Sequence, residues 1–161
     1  MTRSPAFFAG RPLWARVLLA CTAGAAGALA HDPFNFSIAI LIPLFAAFSL
    51  LRIARSVMGA GVIGLAIGTA YFAATLNWIT EPVMGDAATT GWMAPCARLL
   101  LSIGLGLFWG AALALARWAG PSAWVLVVTL TGAEMLRAYL FTGFPWATPP
   151  QALVGGFAGQ V

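Results

Sequence analysis

Five long apolar stretches, separated by short polar connections, are the dominant pattern of the chain. Each is close to the length of about 20 residues with which a helix crosses the hydrocarbon core of a bilayer. The pattern therefore predicts an all-α fold, a polytopic transmembrane helix bundle. The predicted spans are residues 13–30, 34–51, 57–79, 93–116 and 124–141.

The connections between the stretches hold most of the acidic residues and many turn-forming residues. They read HDP at 31–33, RIAR at 52–55, TEPVMGDAATTG at 80–91 and RWAGPS at 117–122. Proline or glycine occurs in three of them, as is typical of segments that end helices. No connection is long enough to form a soluble domain, so we predict one transmembrane domain over residues 1–161.

Composition excludes a water-soluble globule. The chain is 61% hydrophobic and 7% charged, with a mean hydropathy of +0.93, whereas soluble domains have about a quarter of their residues charged. The net charge of +4 comes from eight arginines and four acids. Because these arginines are scattered among apolar spans, we predict a membrane protein without a nucleic-acid partner.

The arginines also predict the orientation, because cytoplasmic connections of membrane proteins are enriched in basic residues. A cytoplasmic N-terminus places six of the eight arginines inside and Asp32, Glu81 and Asp86 outside. The opposite orientation leaves only Arg98 and Arg137 inside. With the N-terminus in the cytoplasm, residues 31–33, 80–91 and 142–146 face the extracytoplasmic side. The inside arginines are then Arg3, Arg11, Arg16, Arg52, Arg55 and Arg117.

Few residues are candidates for chemistry. Cys21 lies within a span and Cys96 near the start of another, and neither has the adjacent base or cation that activates a thiol. His31 is the single histidine, which rules out a multi-histidine metal site, and we predict no metal and no cofactor. Glu81 and Asp86 suit an acid/base pair, but solvated loop residues are the simpler interpretation.

Two glycine pairs indicate close helix packing. Gly64 and Gly68 in the third span, and Gly106 and Gly110 in the fourth, each have the GxxxG spacing. This spacing removes two side chains from one helix face, so that a neighbouring backbone can approach it. We predict intramolecular packing through these faces, with dimerisation as the alternative.

The fifth span carries two ionisable residues, Glu134 and Arg137. A lone charged residue at the centre of a span costs about 2.5–3.5 kcal/mol on insertion scales, so a charge there must be compensated. The i, i+3 spacing places both side chains on one helix face, where they can form a buried ion pair. This pair either stabilises the fold or contacts a substrate, and the spacing does not decide between the two.

The sequence predicts a distinctive turn at residues 143–146, shortly after this span. Gly143 allows the backbone to turn, and Pro145 prevents the helix from continuing. Phe144 and Trp146 are placed at the depth of the lipid headgroups, where aromatic side chains concentrate. A belt of aromatic residues accounts for one tryptophan, but not for Gly-Phe-Pro-Trp following Glu-x-x-Arg.

The string from Glu134 to Trp146, EMLRAYLFTGFPW, resembles the E-x-L-R…T-G-F-P-W signature of apolipoprotein N-acyltransferases. Other parts of the chain resemble the same family in the same order: residues 28–34, 77–82 and 91–95. After Trp146 the chain departs from the family pattern, because ATPPQALVGG stands where a Gly-Tyr element is usual.

The resemblance implies a bacterial inner-membrane enzyme that completes lipoprotein maturation. Such enzymes take an acyl chain from a phospholipid and pass it to the α-amino group of the diacylglyceryl-cysteine of an apolipoprotein. The phospholipid acyl donor and the diacylglyceryl-modified apolipoprotein are the implied partners. The reaction uses a Glu-Lys-Cys triad in an extracytoplasmic nitrilase-like domain, whereas this sequence contains no lysine.

By resemblance, this chain is the N-terminal membrane part of such an enzyme, truncated before a sixth span, with residues 142–161 forming an extracytoplasmic turn and an incomplete tail. Its implied role is to anchor the catalytic domain and to shape the entrance for lipids. No catalytic residue is expected in this chain, which alone is expected to be inactive. The implied lipid-entrance residues are Trp78, Gly143, Phe144, Pro145 and Trp146.

Two other classes of protein fit parts of the sequence. Buried ionisable residues, together with a span that Pro43 is expected to kink, also suit a small polytopic transporter or a lipid-handling protein without covalent chemistry. Against this, no earlier span repeats the pair of Glu134 and Arg137. A purely structural membrane subunit fits the composition, and the GFPW signature disfavours it.

Overall fold

The computed structural model describes residues 10–80, 91–140 and 147–154, and every regular element within them is helical. Short 3₁₀ turns at Gly27–Ala30, Ser37–Ile40 and Asn77–Thr80 extend or link the α-helices. The α-helices are α1 (Leu13–Ala26), α2 (Leu41–Ile53), α3 (Val57–Thr75), α4 (Met93–Ala119), α5 (Ala123–Leu140) and the short α6 (Gln151–Val154).

Four helical segments are long and apolar enough to cross a membrane, namely Leu13–Ala30, Val57–Thr75, Met93–Ala119 and Ala123–Leu140. A fifth apolar segment, Ser37–Ile53, is slightly shorter. The predicted all-α, polytopic fold of about five spans is confirmed.

The helix boundaries follow local chemistry. The second segment begins at Ser37 rather than at residue 34, because residues 31–36 form a hydrogen-bonded turn in which the amide of Phe36 donates to Leu29 O at 2.9 Å. Pro43, which is expected to kink this segment, lies in the first turn of α2, directly after the 3₁₀ turn Ser37–Ile40. At the start of α3, Ser56 Oγ caps the helix by accepting from Gly59 N at 3.0 Å.

α3 is the central helix and packs against both α1 and α4, while α5 packs mainly against α4. α2 packs against α1 and α3. The contact faces form one hydrophobic core, which includes Ala20, Ile67, Phe72, Leu105 and Leu113.

Glycines set the separation of α3 and α4. A Cβ atom added to Gly68 would lie 2.9 Å from both Gly106 Cα and Trp109 Cβ, closer than real contacts allow. A Cβ atom added to Gly64 would likewise lie too close to the carbonyl group of Trp109. The predicted intramolecular packing through the GxxxG faces is therefore confirmed.

Arginines gather at one end of the bundle. Arg16 Nη1 donates to the carbonyl oxygen of Ile53 at 3.2 Å, and Arg117 Nε donates to that of Ala54 at 2.9 Å. These bonds tie α1 and α4 to the α2–α3 connection, which also carries Arg55. We call this the arginine end; the opposite end, with the turn after α1 and the Asn77–Thr80 turn, is the His31 end.

Candidate functional site

Glu134 and Arg137 lie one turn apart on α5 and form an ion pair inside the bundle. Arg137 Nη2 donates to Glu134 Oε2 at 2.6 Å, and Arg137 Nε donates to the same oxygen at 3.2 Å. The Arg137 side chain is fully buried, while that of Glu134 is 12% exposed. Two charges at this depth are tolerated because each neutralises the other.

The second oxygen of the Glu134 carboxylate is bound by α4. Trp109 Nε1 donates to Glu134 Oε1 at 2.7 Å, and Trp109 is completely buried. Both carboxylate oxygens therefore accept hydrogen bonds from protein groups. Because a buried indole N–H needs an acceptor, this bond fixes how α4 and α5 are rotated relative to each other.

Aromatic side chains of α3 enclose the pair from the other side. The guanidinium carbon of Arg137 lies 5.1 Å from the centre of the Phe72 ring, within the range of a cation–π contact. Tyr71 stacks on Trp109 with ring centres 5.5 Å apart and planes 23° apart. Both aromatic residues of α3 are fully buried.

Tyr71 connects these buried side chains to the surface at the His31 end. His31 Nε2 and the Tyr71 hydroxyl share a hydrogen bond of 2.6 Å. Burial lowers the pKa of the His31 imidazole below its usual range, and the nearby Asp32 carboxylate acts against this shift. The lowered pKa favours the neutral form of the imidazole. We call the residues linked in this way the buried network: His31, Tyr71, Trp109, Glu134 and Arg137.

A cleft of about 690 Å³ opens beside His31. Its walls come from the turn after α1, the end of α3, the Asn77–Thr80 turn and the start of α6. Asn35 Nδ2 donates to Asp32 Oδ1 at 2.6 Å and so fixes one polar wall. The lining combines apolar and polar groups: Ala30, His31, Asp32, Trp78, Leu76 and Gln151.

The structure brings some of the sequence-predicted residues together. Trp78 lines the cleft and is 41% exposed, and Glu134 and Arg137 connect to the same cleft through Trp109, Tyr71 and His31. Ala147, directly after the GFPW motif, also lines the cleft, with a left-handed φ of 57°. Six of the candidate site residues named from the sequence lie outside the described ranges: Glu81, Asp86, Gly143, Phe144, Pro145 and Trp146. Arg3, used for the orientation, lies outside them as well.

Sequence reasoning missed Tyr71 and Trp109, which link the ion pair to the cleft. Both look like ordinary aromatic residues of membrane spans. The available signal was chemical: a phenol or an indole N–H deep in a span requires a hydrogen-bond partner. Tyr71 is one of only two tyrosines in the chain.

The arrangement suits positioning better than covalent chemistry. Cys21 is half-buried, Cys96 is exposed, and both are free. Among the described residues there is no group of three or more His, Cys, Asp or Glu side chains that could hold a metal ion. What the buried network can do is hold α3, α4 and α5 in one register beneath the cleft.

The helices and the cleft define a multi-pass membrane protein with a polar recess at one end of the bundle. A protein-family model described as the apolipoprotein N-acyltransferase N-terminal domain matches residues 23–160. The chain belongs to the apolipoprotein N-acyltransferase family. The match also continues past Trp146, where the signature departs from the usual family pattern.

Individual relatives agree with the family match. The chain is 39% identical over 160 residues to an apolipoprotein N-acyltransferase of Caulobacter vibrioides. The matched region covers 94% of this chain and 29% of that protein. It is 37% identical over 142 residues to one of Rhodopseudomonas palustris, covering 83% of this chain and 26% of that one. The chain thus spans less than a third of the length of these relatives.

Proposed function

We propose that this chain is the membrane-anchoring and lipid-entrance part of an apolipoprotein N-acyltransferase. In the proposed reaction, an acyl chain moves from a phospholipid to the α-amino group of the diacylglyceryl-cysteine of an apolipoprotein. The observation that carries the proposal is the family match over residues 23–160. The chain's own share of this work is to admit and orient lipid substrates.

The cleft at the His31 end is the place where we propose that a lipid substrate enters. It combines an exposed indole, Trp78, with polar groups of Asp32 and Gln151, a mixture that suits the glycerol and headgroup region of a lipid. The GFPW segment, Gly143 to Trp146, is assigned to the same entrance by its signature. The role proposed for the buried network is to keep the floor of this cleft rigid.

We further propose that the protein lies in the bacterial inner membrane with the His31 end outside the cytoplasm. The support is the arginine end, which gathers Arg16, Arg55 and Arg117, together with the positive-inside rule. The resemblance implies an extracytoplasmic catalytic domain, which agrees with the proposed position of the cleft.

Thiol labelling of the native cysteines tests this orientation. Cys96 is exposed near the start of α4, at the His31 end, so a membrane-impermeant maleimide should label it in intact spheroplasts. In a Cys96→Ser background, Ala119→Cys at the opposite end of α4 should be labelled only after the membrane is permeabilised. If, in intact spheroplasts, the cysteine at position 119 is labelled and Cys96 is not, the proposed orientation is wrong.

Binding without turnover is the expected behaviour of the purified chain. It contains no lysine, so the Glu-Lys-Cys triad implied by the resemblance cannot form within it, and covalent acyl transfer needs an activated nucleophile. We expect the chain to bind a fluorescent diacylglyceryl-cysteine lipopeptide, and to leave its α-amino group free when a phospholipid donor is added. Mass spectrometry of the lipopeptide gives the second result, and N-acylated product from host-free protein would contradict it.

A further inference from the structure

A second polar cleft, of about 240 Å³, lies at the arginine end, far from the site described above. Three arginines line it: Arg11 just before α1, Arg16 in the first turn of α1, and Arg55 in the α2–α3 connection. Leu13 and Ile63 supply apolar surface to the same cleft. The site therefore combines positive charge with a hydrocarbon surface.

The charged side chains described in the lining of this cleft are all positive. Among the residues that the structure describes, its lining contains three arginines and no carboxylate. The two acids within the described ranges are elsewhere: Asp32 lies at the His31 end, and Glu134 is bound to Arg137 and Trp109. An anion in the cleft is therefore attracted by three arginines, and no described carboxylate of the lining opposes it.

Arg16 is the fixed element of the cleft. Only 6% of this residue is exposed, and its Nη1 donates to the carbonyl oxygen of Ile53 at 3.2 Å. A guanidinium held in this way keeps a set orientation, and its planar array of donors matches the oxygens of a phosphate group. Arg11 and Arg55 are exposed and add two further positive charges beside Arg16.

The surroundings favour a phosphate that belongs to a lipid. Leu13 and Trp14, at the first turn of α1, are 52% and 70% exposed, so an apolar surface continues from the cleft along α1. Basic recesses between membrane helices are also where the headgroups of anionic lipids bind. A cleft of about 240 Å³ accepts a phosphate and its nearest carbons, while the acyl chains lie outside against α1.

We propose that this cleft binds the phosphate group of an anionic phospholipid in the leaflet at the arginine end. Three cationic groups favour a headgroup with net negative charge over a zwitterionic one, whose ammonium group the arginines repel. The bound lipid would join α1 to the α2–α3 connection. This proposal stands apart from the proposed acyl transfer, because the two clefts lie at opposite ends of the bundle.

The test measures binding of phosphatidylglycerol and of phosphatidylcholine to the purified chain in detergent, by titration of its thermal unfolding. We expect phosphatidylglycerol to bind more tightly. The double variant Arg11→Gln/Arg55→Gln should lose about 25-fold in affinity, since each surface arginine contributes about fivefold. Both side chains are exposed, so we expect the variant to keep the fold, which its unfolding transition without lipid checks, and Arg16 is left intact.

Arg52→Gln is the matched control, because Arg52 is an exposed arginine at the same end and does not line the cleft. We expect it to change the affinity less than about twofold, since salt screens charges that do not touch the ligand. Equal binding of the two lipids, or equal losses in the control and the double variant, would overturn the proposal. Displacement of phosphatidylglycerol by millimolar inorganic phosphate would assign the site to a free anion instead, and would overturn the lipid assignment.

Discussion

Replacing Arg137 by methionine is expected to destabilise the folded chain by about 3–5 kcal/mol, the cost of breaking a buried ion pair by removing one partner. The variant leaves the Glu134 carboxylate inside the bundle with Trp109 as its remaining neutral donor. It also removes the cation that lies over the Phe72 ring. The measurement is unfolding in mixed micelles as the fraction of denaturing detergent is raised.

The double variant Glu134→Gln/Arg137→Met separates charge from packing. A glutamine at position 134 keeps a carbonyl oxygen that can accept from Trp109 Nε1, and it brings no charge. We expect it to recover most of the loss, to within about 1–2 kcal/mol of the original chain, because buried ion pairs are often replaceable by neutral groups. A loss below about 1 kcal/mol in Arg137→Met, or a double variant no better than the single one, would contradict the account of the buried network.

The second large effect is expected at Gly106. A Cβ atom there would lie 2.7 Å from the backbone nitrogen of Thr69 on α3 and 3.1 Å from its Cα. Gly106→Ala must therefore push α3 and α4 apart, and overpacking of this kind costs about 1–3 kcal/mol. Because Trp109 stacks on Tyr71 across the same interface, its fluorescence should change as well.

Gly104→Ala is the control within the same helix. A Cβ atom at Gly104 meets nothing within 4 Å, so alanine should leave stability unchanged or raise it by up to about 1 kcal/mol through helix propensity. Similar unfolding transitions for the two alanine variants would show that α3 and α4 do not depend on close backbone contact.

Local features of the structure could be predicted from the sequence. The length of each apolar stretch is enough to place five helical segments, since a bilayer sets the length of a span. The spacing of Gly64, Gly68 and Gly106 is enough to indicate which helix faces come close. These features depend on chemistry within one or two turns of a single helix.

The long-range contacts of the site could not be predicted in the same way. The bond from Trp109 to Glu134 depends on the rotation of α4 against α5, and that between His31 and Tyr71 joins residues 40 positions apart. A span that is apolar on all sides carries little information about which face meets a neighbour. The predicted connection at residues 31–33 is too short, because Phe34 and Phe36 continue the apolar pattern without being helical.

Site-specific cross-linking measures most directly whether the cleft at the His31 end admits the lipid substrate. A photoreactive amino acid would replace Trp78, or Trp118 as a control: Trp118 is an exposed tryptophan in the last turn of α4, at the arginine end. We predict that a labelled diacylglyceryl-cysteine lipopeptide cross-links at position 78, that unlabelled lipopeptide competes, and that position 118 gives only non-competable background. Equal cross-linking at the two positions, or a signal at 78 that the unlabelled lipopeptide does not reduce, would contradict the proposed entrance.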